Sequence, residues 1–304
     1  MKMARRDEFI DENTGGRAVS DLTGELRTGE RMASVPHINI DGLSLQYRSK
    51  TGTVAALQDV SMDIPPRSFI SVVGPSGCGK TTLMKVLSGV LKPSSGKVTI
   101  DNRPIEQTDL SGKIGYVFQR PLLLPWRTAL DNVLLTTEIA RKDMPYEQRL
   151  AEAKEWLALT GLSGFENRLP HELSGGMQQR VSICRALAFR PPVLLMDEPF
   201  AALDEITREA MQDELLRLWS VTEATVIFIT HSITEAVLLS ERVVVMTARP
   251  GRVDEIIDVP FARPRDEELR GRPEFAQLVQ HIRGKLHKDK AKPVAGDTGA
   301  AHGS

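Results

Sequence analysis

Three short stretches of this chain combine residue types and spacings that can do chemistry. In "GPSGCGKTT", residues 74–82, glycines let the backbone curl so that successive N–H groups point inward at phosphate oxygens. Gly74, Pro75, Ser76, Gly77, Cys78 and Gly79 make the loop; Lys80 brings a positive charge to the β- and γ-phosphates of a nucleotide. Thr81 offers a hydroxyl to Mg2+, and Thr82 completes the stretch. In "VLLMDEP", residues 193–199, an apolar run ends in two carboxylates at the C-terminal end of a strand, where α/β sheets bind ligands. Asp197 is placed to hold Mg2+ through water, and Glu198 to take a proton from an attacking water. In "LSGGMQQR", residues 173–180, Ser174 caps a helix whose first residues are Gly175 and Gly176, so its backbone N–H groups are open to an anion. One chain thus carries two anion-holding helix starts.

The elements around these stretches read as an α/β fold. "FISVVG" is a short apolar run ending in glycine, a buried strand, and "TTLMKVLSGVL" follows it with helical spacing. The phosphate loop therefore lies between strand and helix, the context its chemistry needs. Upstream, "HINIDGLSLQY" and "ALQDVSMDI" alternate like half-exposed strands, and "GKVTIDNRPI" adds another after the helix. "TALDNVLLTTEIA", "YEQRLAEAKEWLALTGL" and "GGMQQRVSICRALAF" read as helices, with Trp156, Leu157 and Leu159 on one apolar stripe. Strands return in "PPVLLMDEP", "ATVIFITH" and "RVVVMTA", with helices between them, which argues for a parallel sheet covered by helices. The expected division is a disordered arm over 1–34, an ordered domain over 35–284 and a disordered tail over 285–304. Within the domain, 35–119 and 186–260 form the core, 120–185 an inserted helical subdomain and 261–284 a C-terminal helical extension.

Composition narrows the function. The 304 residues carry a net charge of −1, a pI near 6.6 and 41% hydrophobic residues, an ordinary globular balance without the basic footprint of nucleic-acid binding. The two cysteines, Cys78 and Cys184, form no C-x-x-C pair, so neither a zinc site nor a disulfide framework is expected, and a reducing compartment is. The first residues are charged and lack the apolar run of a secretory signal. No stretch reaches the ~18 apolar residues of a membrane span, so a membrane role must come through a partner.

In order and spacing, the phosphate loop, "LSGGMQQR" and "VLLMDEP" resemble the ATP-binding cassette (ABC) ATPases, over about residues 36–260. The resemblance implies a P-loop NTPase with a RecA-like core, an N-terminal antiparallel β subdomain and an inserted α-helical subdomain. It implies ATP and Mg2+ as cofactors, with Tyr47 stacking on adenine, Gln119 of "IGYVFQ" as the Q-loop glutamine, Asp204 of "AALDE" in the D-loop and His231 of "ITHS" as the switch histidine. Glu198 is then the general base, His231 and Gln119 position water, metal and γ-phosphate, and Thr81, Gln119 and Asp197 hold the metal. Ser174, Gly175, Gly176 and Gln178 belong to the signature that covers ATP on the other subunit of a head-to-tail homodimer. One departure is Arg67-Ser68-Phe69 where the family often has Gly-Glu-Phe, a difference expected to touch only the turn's geometry. Cys78 is common in related importers, and its alkylation is expected to block ATP binding.

A free-standing single cassette resembles the ATPase subunit of a bacterial importer, peripheral on the cytoplasmic face of the inner membrane. Its partners would be integral-membrane permease subunits and, through them, a periplasmic or lipoprotein solute-binding protein; no nucleic acid is expected. The alternatives are a non-transport ABC ATPase and the cassette of another export or envelope complex. "RPLLLPWRTALDNV" resembles the nitrate/sulfonate/taurine group, with Trp126 either a core aromatic or an anchor for the permease. "TARPGRVDEIIDVPFARPRD" resembles the same group and is expected near the groove that receives the permease's coupling helix. Aliphatic sulfonate, taurine, nitrate, bicarbonate and a thiamine-precursor pyrimidine all remain open as solutes.

Overall fold

The computed structural model of the chain describes residues 37–49, 52–222, 224–265 and 267–290. The arm expected over 1–34 lies outside them, as do residues 291–304. Strands β1 (Ile38–Ser49) and β2 (Gly52–Ile64) pair as a long antiparallel hairpin. Buried residues on β1 fall at Ile38, Ile40, Leu43 and Leu45. The alternation slips at a bulge between Ile40 and Leu43, where Gly42 takes a positive φ of 59°. After β3 (Phe69–Val73), strands β4 (Ser95–Ile100) and β5 (Arg103–Pro104) join this sheet in the order β2-β1-β4-β5.

The second sheet is built from β3, β6 (Ile114–Val117), β7 (Val193–Asp197), β8 (Thr225–Ile229), β9 (Arg242–Met246) and β10 (Val253–Asp258), in the order β10-β9-β3-β8-β7-β6. Every pairing is parallel except β10 on β9. Its central strands are apolar on both sides because both faces are covered. Val193, Leu195, Ile227 and Ile229 face one core, shared with the antiparallel sheet and with α1 (Lys80–Leu87). Leu194, Met196, Val226 and Phe228 face the other. That second core is closed by α2 (Ala129–Ala140), α3 (Tyr146–Leu159), α4 (Gly175–Leu187) and α5 (Glu205–Thr222). A third core joins α6 (Ile233–Leu239) and β9 to α7 (Glu267–Arg270) and α8 (Pro273–Lys290).

Three expectations are corrected, and one edge strand is added. The helix after the phosphate loop stops at Leu87, because Gly89 takes a left-handed φ of 73° and folds its N–H back to Val86. Helix α4 runs to Leu187, slightly past the boundary expected between helical subdomain and core. The stretch "VDEIID" forms β10, at the sheet edge opposite β6, with four strands between them. The tail expected from residue 285 is still helical to Lys290: Leu286 packs on the third core, and Lys285 Nζ lies 2.6 Å from Glu255 Oε2 on β10. Among the described residues no helix is long and apolar enough to cross a membrane.

Candidate functional site

The buried strand β3 delivers the chain to residues 74–79, which turn into α1. The turn needs its glycines. A Cβ on Gly74 would come 2.7 Å from Cys78 Sγ, and Gly77 and Gly79 hold φ of 76° and 94°. Lys80 Nζ donates to the carbonyls of Gly74 and Pro75 at 2.8 and 3.1 Å, so the ammonium sits inside the curl that surrounds it. Tyr47 on β1 is exposed, and its hydroxyl lies 3.3 Å from Thr82 Oγ1, which sets the ring beside the first turn of α1. Cys78 is fully buried; burial pushes its thiol up, and Lys80 opposes this. The thiol is therefore shielded and protonated, and alkylation first requires the loop to open.

Sequence reasoning missed the brace behind this loop. Gly251 exchanges backbone hydrogen bonds with the β2 segment, from its N–H to Ala56 O and from Gln58 N–H to its carbonyl, at 3.0 and 2.9 Å. A Cβ there would stand 1.9 Å from Cys78 O. The Arg249 guanidinium lies 3.4 Å from where a Cβ on Gly77 would be. The Pro250-Gly251 pair is the sequence signal for this close approach.

The acids come together at the end of β7. Burial raises the Asp197 carboxyl above its ordinary range, Thr81 and Lys80 pull it down, and Glu198 pushes it up. Glu198 has left-handed backbone at φ 46°, a conformation costing about 1–3 kcal/mol for a residue of this kind. Its N–H still closes the ladder to Ile229 O at 2.9 Å, so the kink redirects the side chain without opening the sheet. The Glu198 carboxylate is 24% exposed, with Oε2 3.4 Å from Gln119 Nε2 and 3.6 Å from His231 Nδ1. Gln119, Glu198 and His231 arrive from the ends of β6, β7 and β8, three adjacent strands. Water can reach this cluster, since the His231 side chain is 60% exposed.

The glycine-rich start of α4 stands apart. Ser174 caps it through Met177 N–H at 3.3 Å. Gln178 donates its amide to the carbonyls of Pro170 and Leu173 at 2.9 and 3.2 Å, so it fastens the turn that leads into the helix. Among the described residues no hydrogen bond ties Ser174, Gly175 or Gly176 to the phosphate loop. Asp204 caps α5 through Thr207 N–H at 3.0 Å, and that bond holds its carboxyl below the usual range. Arg67 adopts φ 57°, so it keeps the left-handed turn that a glycine would take without strain. Trp126 is 73% exposed, which excludes a core role. Its loop is held by the buried Asn132, which bonds Leu124 N–H and O and the carbonyls of Arg127 and Thr128.

A family model described as ABC transporter matches residues 57–201. The chain is 46% identical over 256 residues to the taurine import ATP-binding protein TauB of Rhizobium johnstonii, spanning 82% of this chain and 96% of that one. It is 41% identical over 259 residues to the nitrate import ATP-binding protein NrtD of Synechococcus elongatus, spanning 84% and 94%. Among solved structures, the dimeric ATP-binding cassette MJ0796 in a post-hydrolysis state, bound to ADP and Pi, is similar with a TM-score of 0.66. It shares 35% identity and covers 74% of this chain and 100% of its own. With the phosphate loop, the paired carboxylates and the capped glycine helix in the family's order, the chain belongs to the ABC transporter family, as one of its ATP-hydrolysing cassettes.

Proposed function

We propose that two copies of this chain pair head to tail, that each covers the other's ATP with the start of α4, and that hydrolysis drives import through a separate permease. The observation that carries the pairing is Gly175. It is exposed, its φ is not positive, and a Cβ there would have nothing within 4 Å. Nothing in its own chain requires a glycine, whereas the close approach of a partner's nucleotide does. A γ-phosphate facing the N–H groups of α4 favours the closed pair, and its loss releases it.

In this reading Glu198 takes the proton of the attacking water, while His231 and Gln119 hold water and γ-phosphate in place. Lys80 and the loop N–H groups bind the phosphates, Tyr47 stacks on the base, and Asp204 lies at the pairing surface. The donors at the end of β7 are all hard oxygens, which fits Mg2+. Among the described residues no group of three or more His, Cys, Asp or Glu could hold a metal ion. Thr81, Asp197 and Gln119 would hold Mg2+, and its charge would offset that of the phosphates.

The exposed Trp126, on its pinned loop after Gln119, supplies a rigid aromatic anchor for the permease, with Leu122 and Phe118 exposed nearby. The chain then sits peripherally on the cytoplasmic face of the membrane, and a solute-binding protein acts through the permease. Relatives named for taurine and nitrate import support a solute of the nitrate/sulfonate/taurine type.

Glu198→Gln tests the chemistry: ATP binding persists, dimers accumulate on a sizing column, and phosphate release falls about 100-fold or more. Substantial turnover in that variant removes the assignment. Mixing an inactive Lys80→Ala copy with an inactive Gly175→Asp copy tests the pairing. One intact site reassembles in the mixed dimer and phosphate release returns; no recovery refutes it. Loss of permease co-purification in Trp126→Ala tests the anchor.

A further inference from the structure

The mechanism above makes no use of the most deeply buried carboxylate near the site. Glu235, in the first turn of α6, is 5% exposed. Its Oε2 accepts the Thr230 hydroxyl at 2.5 Å, and its Oε1 accepts Gln212 Nε2 at 3.3 Å with Arg208 Nε at 3.7 Å. Burial raises this carboxyl, while Thr230 and Arg208 favour its charge.

These contacts bracket His231. Thr230, 1% exposed, precedes it, and the same Thr230 hydroxyl accepts Ser232 N–H at 2.9 Å from the residue that follows. Ser232 in turn caps Glu235 N–H at 3.3 Å. On the other side, Arg208 donates to Leu203 O at 2.8 Å and its N–H bonds Asp204 O at 2.9 Å, so it grips the loop that opens α5. Gln212 is held by Arg270 of α7 at 2.9 Å. A buried carboxylate is a costly way to join two helices, and apolar side chains of similar size serve packing at least as well.

We propose that Glu235 is a positioning residue for hydrolysis: through Thr230 and Arg208 it couples the placement of His231 to the Asp204 loop, so that the switch and the pairing surface move together. This rests on the roles given above to His231 and Asp204. Loss of a carboxylate that only holds α6 on α5 lowers thermal stability and leaves the turnover of folded protein intact. Loss of a positioning carboxylate lowers kcat and spares ATP affinity.

The test is a double-mutant cycle on the full chain, reading steady-state phosphate release and ATP affinity. In Glu235→Ala, kcat falls about tenfold with KM for ATP within about twofold, and Glu235→Gln recovers most of the loss. In a His231→Ala background the Glu235 substitution adds little further loss. If Glu235→Ala does not fold, Thr230→Val cuts the same arm with the carboxylate in place and shows the same split. A loss in kcat that is as large in the His231→Ala background overturns the inference, as does unchanged kcat in both Glu235→Ala and Thr230→Val. Full turnover in His231→Ala removes the reading beneath it, and this inference with it.

Discussion

The starts of α1 and α4 are both glycine-rich and both are proposed to face phosphate, yet their own chain treats them differently. Helices α2, α3, α5, α6 and α8 each carry an acidic residue in the first turn, which complements the dipole; α1 and α4 carry none. Both keep that end clear for an anion. At α1, however, Gly74, Gly77 and Gly79 are each dictated by a left-handed φ or by an atom that would strike a Cβ. At α4 only Gly176 is dictated from within, by the Thr207 methyl at 2.9 Å, and Gly175 is not. The two helix bodies are buried on opposite faces of the six-stranded sheet. One end is dictated by its own chain; on the reading proposed above, the other serves a second copy.

The contrast predicts opposite responses to substitution. Gly79→Ala drives a Cβ within 2.6 Å of Leu57 Cδ2 and 2.7 Å of Ala56 O at a φ of 94°. It is expected to cost about 3 kcal/mol or more in a denaturant titration, and ATP binding with it. Gly175→Asp is expected to lower turnover about 100-fold or more by setting a carboxylate against the partner's phosphates. Thermal unfolding should meanwhile show stability equal or up by as much as ~1 kcal/mol, because an acid at this end suits the dipole. Equal destabilisation by both substitutions would erase the distinction. Gly176→Ala is expected to cost about 1–2 kcal/mol, largely recovered by Thr207→Ser, which removes the offending methyl.

The smallest effect is a pH dependence. The folded Asp197 carboxyl titrates above its usual 3.8, so the stability it contributes is full below 3.8 and is lost as pH rises through the raised value. Asp197→Asn should then be more stable than the parent at neutral pH by under ~1 kcal/mol, given partial solvation, with the difference vanishing toward pH 3.8. Its phosphate release should nevertheless fall. Melting curves at the two pH values decide it, and a gain that grows in acid would reverse the sign.

Much of the fold was legible because the elements that carry the site are strongly patterned. "FISVV", "VLLMD" and "TVIFI" are apolar on both faces and sit centrally, in β3, β7 and β8. Strand β10 was not legible, because an edge strand reading Val-Asp-Glu-Ile-Ile-Asp buries few side chains and takes its order from β9. The end of α8 was hidden for a related reason: "KLHKDK" reads as a solvated tail, and its helicity depends on Glu255, thirty residues upstream of Lys285. Within the site, residue types and spacing named the phosphate loop and the paired carboxylates. They did not show the contacts between distant segments, such as Gly251 beneath Cys78 or Glu235 between Thr230 and Gln212. A lone glutamate in a helix start reads as a capping charge until its long-range partners are known.

The left-handed backbone at Glu198 has an evolutionary consequence. Glycine, asparagine and aspartate occupy that conformation more readily than glutamate does, so folding alone pulls position 198 away from its present residue. On the role proposed above for Glu198, selection on hydrolysis holds glutamate there. In a duplicated copy freed from turning over ATP, that position should be among the first to drift, and toward those three residues. The side chain at 198 thus records whether a descendant of this cassette is still an engine or has become a scaffold.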